Sequence, residues 1–134
     1  MEQNPYEKMF IERINRIYDE GYKNISHIQI LPEDIVHRIL GEILETLCLS
    51  GNYTNIELAK KAMLDLPPKW LFEHLPKVVP TYLFKEPEWQ EWEFRRMAEV
   101  LQEHFPEIFV WFIDYSKHLN NLEVDDAIQD FINP

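Results

Sequence analysis

Apolar residues recur at spacings of three and four through most of the chain, and prolines mark where one recurrence stops and the next begins. Tyr6, Phe10, Ile14 and Ile17 share one face of a first helix, with Asn4 as its N-cap, Pro5 in its first turn and Gly21 as its stop. Residues 22–31 lose the spacing and read as a loop with one extended turn. Pro32 then opens a helix to about Leu49, with Glu33 and Asp34 in a first turn where the macrodipole favours acids and Gly51 as the stop. In "TNIELAKKAMLDL", Thr54 and Glu57 have the spacing of a capping box and start a helix that runs to residue 66. Pro68 starts another, to about Leu83, in which Pro76 and Pro80 remove two ladder donors and predict a kink. Helices follow over 89–103, 106–118 and 121–132, the last capped by Asn120 or Asn121. The run "IFVWFI" at 108–113 has strand-like composition. Pro106 and the neighbouring pattern favour a helix there, and a helix apolar all round must be buried or form an interface.

From residue 32 onward, a helix, a short linker and a second helix recur three times, over 32–66, 68–103 and 106–132. Ile56, Ala59, Ala62 and Met63 align with Phe94, Met97, Val100 and Leu101 at an offset of 38, and "NIEL" at 55–58 reappears as "NLEV" at 121–124. The segment "HLPKVVPTYLFKEPEWQEWEFRRMAEVL" resembles the unit of HEAT-like helical repeats, and "NIELAKKAMLDL" and "NLEVDDAIQDF" are weaker copies. The third copy lacks the arginines that stand at 95 and 96 in the second. The resemblance implies an all-α, short right-handed α-α superhelix of about three helical hairpins, with residues 1–31 as an N-terminal capping helix and loop. It also implies second helices on a concave side and, for most members, binding to other macromolecules.

Charge narrows the partners. The net charge is −11, and residues 87–134 hold eleven acids against three bases. Such a surface repels phosphate backbones and anionic membranes, so neither nucleic acid nor a membrane is the expected partner. Lys60, Lys61, Lys69, Lys77 and Lys85 fall in the one region of net positive charge and are the candidates for the opposite case. With 134 residues the chain fits one domain, and three glycines are few for a hairpin-rich β fold. A lone cysteine, Cys48, has no partner for an intramolecular disulfide. The first twenty residues hold no apolar signal core, and the longest apolar run is the six residues at 108–113. Together these features point to a cytoplasmic protein.

The segment "KEPEWQEWEFRR" at 85–96 is the chemically distinctive one. Phe94, Met97, Ala98, Leu101 and Phe105 form the core stripe of its helix, and Trp89, Trp92 and Arg96 lie away from that stripe. The tryptophans either pack on a neighbouring repeat or linker, or form an exposed partner-binding patch with Glu93, Arg96 and Glu99. Glu91 stands four residues before Arg95, the spacing of a helical ion pair. Asp125, Asp126 and Asp130 read as a solvated face. His27, His37, His74, His104 and His118 lie on different segments without the spacing of a zinc motif, and Ser26 beside His27 is adjacency alone. No catalytic residues, metal ligands or cofactor are expected. The residues point to a non-catalytic protein-protein interaction module, in its sharper form an acidic inhibitor or immunity-type protein capping a basic partner. The alternatives are an enzyme or nucleic-acid modifier on a HEAT-like scaffold, and a structural homodimer through the 108–113 helix.

Overall fold

Prolines place the helix starts. In the computed structural model, which describes residues 5–134, Pro5, Pro68 and Pro106 are each the first residue of a helix, where a missing N–H costs nothing. Seven α-helices result: α1 (Pro5–Ile17), α2 (Glu33–Leu49), α3 (Tyr53–Leu64), α4 (Pro68–Tyr82), α5 (Gln90–His104), α6 (Pro106–Lys117) and α7 (Leu122–Ile132). No strand occurs among the described residues. The chain is all-helical. Asn4, the expected cap of α1, lies outside the described residues, as does the Tyr6 side chain.

Several local expectations are corrected. Residues 25–30 form a 3₁₀ turn rather than a loop with an extended turn, because three-residue spacing turns both Ile25 and Ile28 inward. Thr54 and Glu57 do not cap α3; Asn52 does, accepting the Asn55 N–H at 3.1 Å, so Thr54 already lies in the first turn. Beyond α1 the left-handed residue is Glu20, at φ 58°, and not Gly21. Of the two candidate caps of α7 it is Asn121 that accepts from the N–H groups of Glu123 and Val124. The expected single helix is there, α4 continuing through Pro76 and Pro80. Both prolines, and Phe72 four residues before the first, lie off the buried stripe of Leu71, Leu75, Val78 and Val79, so the carbonyls deprived of a donor are on the wetter side.

α2 is the hub. It packs against α1, α3, α4 and α5, and its Ile39, Leu40, Ile43, Leu44 and Leu47 are wholly or almost wholly buried. α5 is the second centre, joining α2 to α6 and α7, so α4 and α5 are held together largely through α2. Phe94 of α5 stacks on Phe112 of α6 at 5.5 Å between centroids and meets Phe131 of α7 edge-on at 5.7 Å. Ion pairs tie the periphery: Arg13 to Glu42 between α1 and α2, and Arg95 to Asp130 at 2.8 Å between α5 and α7. Asp130 stays on the solvated face expected of it and also tethers α7 to α5. The apolar run on α6 is mostly spent inside the chain. Ile108, Phe112 and Ile113 are buried, Phe109 and Trp111 are partly so, and Val110 is left 69% exposed.

α2 and α4 meet at Gly41, where a Cβ would stand 2.4 Å from the Tyr82 ring. Glycine there carries the usual helix-propensity penalty of about 1 kcal/mol relative to alanine, in exchange for room for the ring. Gly41→Ala should therefore destabilise wild type by roughly 1 kcal/mol, the overpacking cost exceeding the propensity gain. In a Tyr82→Ala background the same change should become stabilising. Urea denaturation of the four proteins in the cycle measures the sign change, and an unchanged sign would remove the ring as its cause.

Candidate functional site

The linker after α4 sets the site. Leu83 and Phe84 turn inward, and Phe84 adopts a left-handed backbone at φ 64°, an uncommon conformation for a bulky residue. Two side chains of α5 hold it there. The Phe84 N–H donates to Glu93 Oε2 at 2.6 Å, and Gln90 Nε2 donates to the Phe84 carbonyl at 2.9 Å. The Phe84 ring packs on Phe112 and Tyr115 of α6. With Phe84 anchored, Lys85 and Glu86 run over the surface into the 3₁₀ turn Pro87–Trp89, which leads directly into α5.

Trp89 and Trp92 are consequently exposed, at 53% and 43%. They border a groove of about 660 Å³ whose other walls include Leu49 and Glu45 of α2, Tyr82 of α4 and Lys85 and Glu86 of the linker. Arg96 lies over the Trp92 ring, its Cζ 4.3 Å from the centroid, a cation–π contact one helical turn along α5. Beyond this ridge, Arg96 and Glu99 line a smaller hollow with Lys60 and Tyr53 of α3, whose tyrosine is 74% exposed. Of the five residues expected to form one patch, four are at or near the surface and are divided between two adjoining depressions. Glu93 is the exception. It is only 2% exposed, and its carboxylate faces the Phe84 amide at the inner wall of the groove. Its wheel position next to Phe94 hid a structural role that depends on a linker nine residues earlier.

The groove is acidic and apolar together. Burial pushes the Glu93 carboxyl above its ordinary pKa; the Phe84 N–H works the other way, and Glu45 adds to the rise. Glu45 is also raised, mainly by burial and then by Glu42, with Lys85 and Arg13 offsetting part of it. Cys48 is fully buried behind this wall, and its thiol pKa is raised by desolvation and then by Glu93. That is the environment of an inert thiol and not of a nucleophile. Glu91 and Arg95 form the expected ion pair, at 2.9 Å.

A second cluster was invisible in the chain order. His37 on α2 and His74 on α4 approach to 2.9 Å between ring nitrogens, with Glu33 3.6 Å from His37. The spacing of Glu33 and His37, four residues apart on one helix, was the available signal; nothing in the sequence says that His74 faces them. His37 is held below its ordinary pKa, chiefly by burial and against the pull of Glu33, so the neutral ring is favoured.

Comparisons with protein-family models, with curated proteins and with solved structures match nothing to this chain. Among the described residues no helix is long and apolar enough to cross a membrane. The class is therefore defined by fold and site alone: an all-helical protein with a tryptophan-walled, carboxylate-lined groove beside its α4–α5 linker.

An acid whose folded pKa is raised binds its proton more tightly when folded, so its contribution to stability falls as pH rises from the unfolded value, about 4.3, through the folded one. Glu93→Gln keeps an oxygen for the Phe84 N–H and removes the buried charge. Its stability relative to wild type should therefore climb across that window and then level off. Urea midpoints between about pH 4 and pH 8 measure this, and a flat difference would show that the carboxyl is not desolvated. Glu93→Ala, which orphans the amide, should lose about 1–3 kcal/mol at neutral pH.

Proposed function

We propose that the chain is a non-catalytic protein-binding module of HEAT-like helical architecture, and that the groove beside Trp89 and Trp92 receives a basic side chain of its partner. The observation that carries this reading is the exposure of two tryptophans at the mouth of an acidic groove. Large aromatics left at the surface mark binding sites more often than scattered aliphatics do, and Trp and Arg are enriched among interface hot spots. Glu45 and Glu86 outnumber Lys85 in the lining even with Glu93 spent on the Phe84 amide, and aromatic faces beside carboxylates suit a guanidinium or ammonium group. The excess of acids over residues 87–134 would steer such a partner toward this face, in the manner of an inhibitor or immunity-type protein capping a basic surface.

An enzyme or a nucleic-acid modifier has less support. The five lysines available to a phosphate backbone do not stand free as a group: Lys60 faces Glu103 at 3.8 Å and Lys77 faces Glu33 at 3.3 Å. Self-association through α6 is reduced to what Val110 and its neighbours leave outside.

Capture from native lysate identifies the partner, and titration of the purified partner tests the face. Trp92→Ala/Arg96→Glu should weaken binding by about 2 kcal/mol or more, roughly thirtyfold, while circular dichroism stays that of wild type. Wild-type affinity should fall as salt is raised. Unchanged affinity in the variant would remove the tryptophan face from the interface, and salt-insensitive binding would remove the basic partner.

A further inference from the structure

Where α2 meets α4, away from the groove lining, Glu33, His37 and His74 bring three potential metal ligands together. His37 Nε2 and His74 Nδ1 are 2.9 Å apart, His37 Nε2 and Glu33 Oε1 are 3.6 Å apart, and the ligand-capable atoms of all three lie within 4.8 Å of one another. None of the three is fully buried, so the site is open to solvent. Tetrahedral zinc with bonds of about 2.0–2.1 Å needs ligand atoms about 3.3 Å apart. The two shorter edges differ from that by a few tenths of an ångström, in opposite directions. A bound ion also replaces the hydrogen bond between the two imidazoles, and side-chain rotation must set the Glu33–His74 edge, which lies within 4.8 Å.

We propose that Glu33, His37 and His74 bind a divalent first-row transition-metal ion, with Zn²⁺ the best fit to a two-histidine, one-carboxylate set. Imidazole nitrogen with a single carboxylate selects such ions over Ca²⁺ and Mg²⁺, which take oxygen-rich shells. Three protein ligands leave the fourth position to water. Two helices hold the set. Glu33 and His37 sit one turn apart on α2, and His74 is fixed on α4, its ring stacked on Trp70 with centroids 4.5 Å apart. His37 meets His74 edge-on, at 69° between ring planes, so that their nitrogens converge. Three features oppose a cation, the first being the hydrogen bond between His37 Nε2 and His74 Nδ1, which binding must break. Lys77 places its ammonium 3.3 Å from Glu33 Oε1, and Glu33 is the first residue of α2, at the positive end of its dipole. Binding therefore displaces Lys77 from the carboxylate, and affinity is lower than in a closed four-ligand structural site. This site is separate from the tryptophan groove, and its standing does not depend on that groove's function.

The test is titration of untagged, chelator-treated protein with Zn²⁺ by calorimetry, and with Co²⁺ followed by visible absorption and Trp fluorescence. One ion per chain is expected to bind, with the intense visible bands of a four-coordinate cobalt site. Quenching should be assignable to Trp70, lost in Trp70→Phe while binding persists. His74→Ala and Glu33→Gln should each weaken binding at least about tenfold, a loss already typical when only a partner of a ligand is removed. Lys77→Met should tighten it several-fold by removing the competing ammonium. Because His74→Ala also removes the ring stacked on Trp70, Glu33→Gln, on an exposed side chain, keeps the test valid if the histidine variant unfolds. Absence of saturable one-to-one binding overturns the proposal. So does binding of equal strength in a folded His74→Ala or in Glu33→Gln, which would assign the metal to other surface histidines.

Discussion

The contact between Glu93 and the Phe84 amide governs the side of the molecule that carries the groove. A buried carboxylate is expensive unless its oxygens are hydrogen-bonded, and a left-handed phenylalanine is strained unless its surroundings hold it. Each supplies what the other lacks: the amide satisfies the acid, and the acid fixes the amide. Gln90 closes the other side of the same peptide unit, and the Phe84 ring then reaches α6 to stack on Phe112. α4, α5 and α6 are thereby locked at one residue. Without that lock, the linker that presents Trp89 would have no fixed exit direction.

The lock also separates the apolar from the polar work of α5. Phe94, Met97, Ala98 and Leu101 face inward and join the aromatic stack with Phe112 and Phe131, while Trp92 and Arg96 face outward on the same helix. Tryptophans left half-exposed beside Glu45 and the exposed Glu86 put apolar surface and carboxylates at the same spot. The cationic side chain with an aliphatic stem proposed above would cover the one and pair with the other.

The helices were legible because local rules and burial agree. Prolines open α1, α4 and α6, Phe10 and Ile14 of the α1 stripe and the apolar stripe of α5 are buried as read, and the Glu91–Arg95 pair follows from spacing alone. Legibility failed where a distant residue decides. Thr54 has the chemistry of a cap, but Asn52 wins because the chain leaves α2 at Ser50 and already turns at residue 52. Glu93 sits on the wheel between core and surface, and its burial depends on where Phe84 returns. The strand-like composition of 108–113 is overridden by neighbours on α5 and α7 that accept a helical face.

Periodicity, proline placement and charge by themselves determined an all-helical chain, the approximate bounds of its helices, its core stripes and the segment where tryptophan and acid concentrate. Those are properties of neighbours within a turn or two, which the backbone repeat brings together whatever the rest of the chain does. Tertiary structure alone decided that Glu93 is a buried clamp, that the tryptophans are exposed, and that His37 meets His74 across 37 positions. Each of these depends on which face α2 offers to α4 and α5, and close packing of whole side chains sets that choice, not the pattern along any one helix.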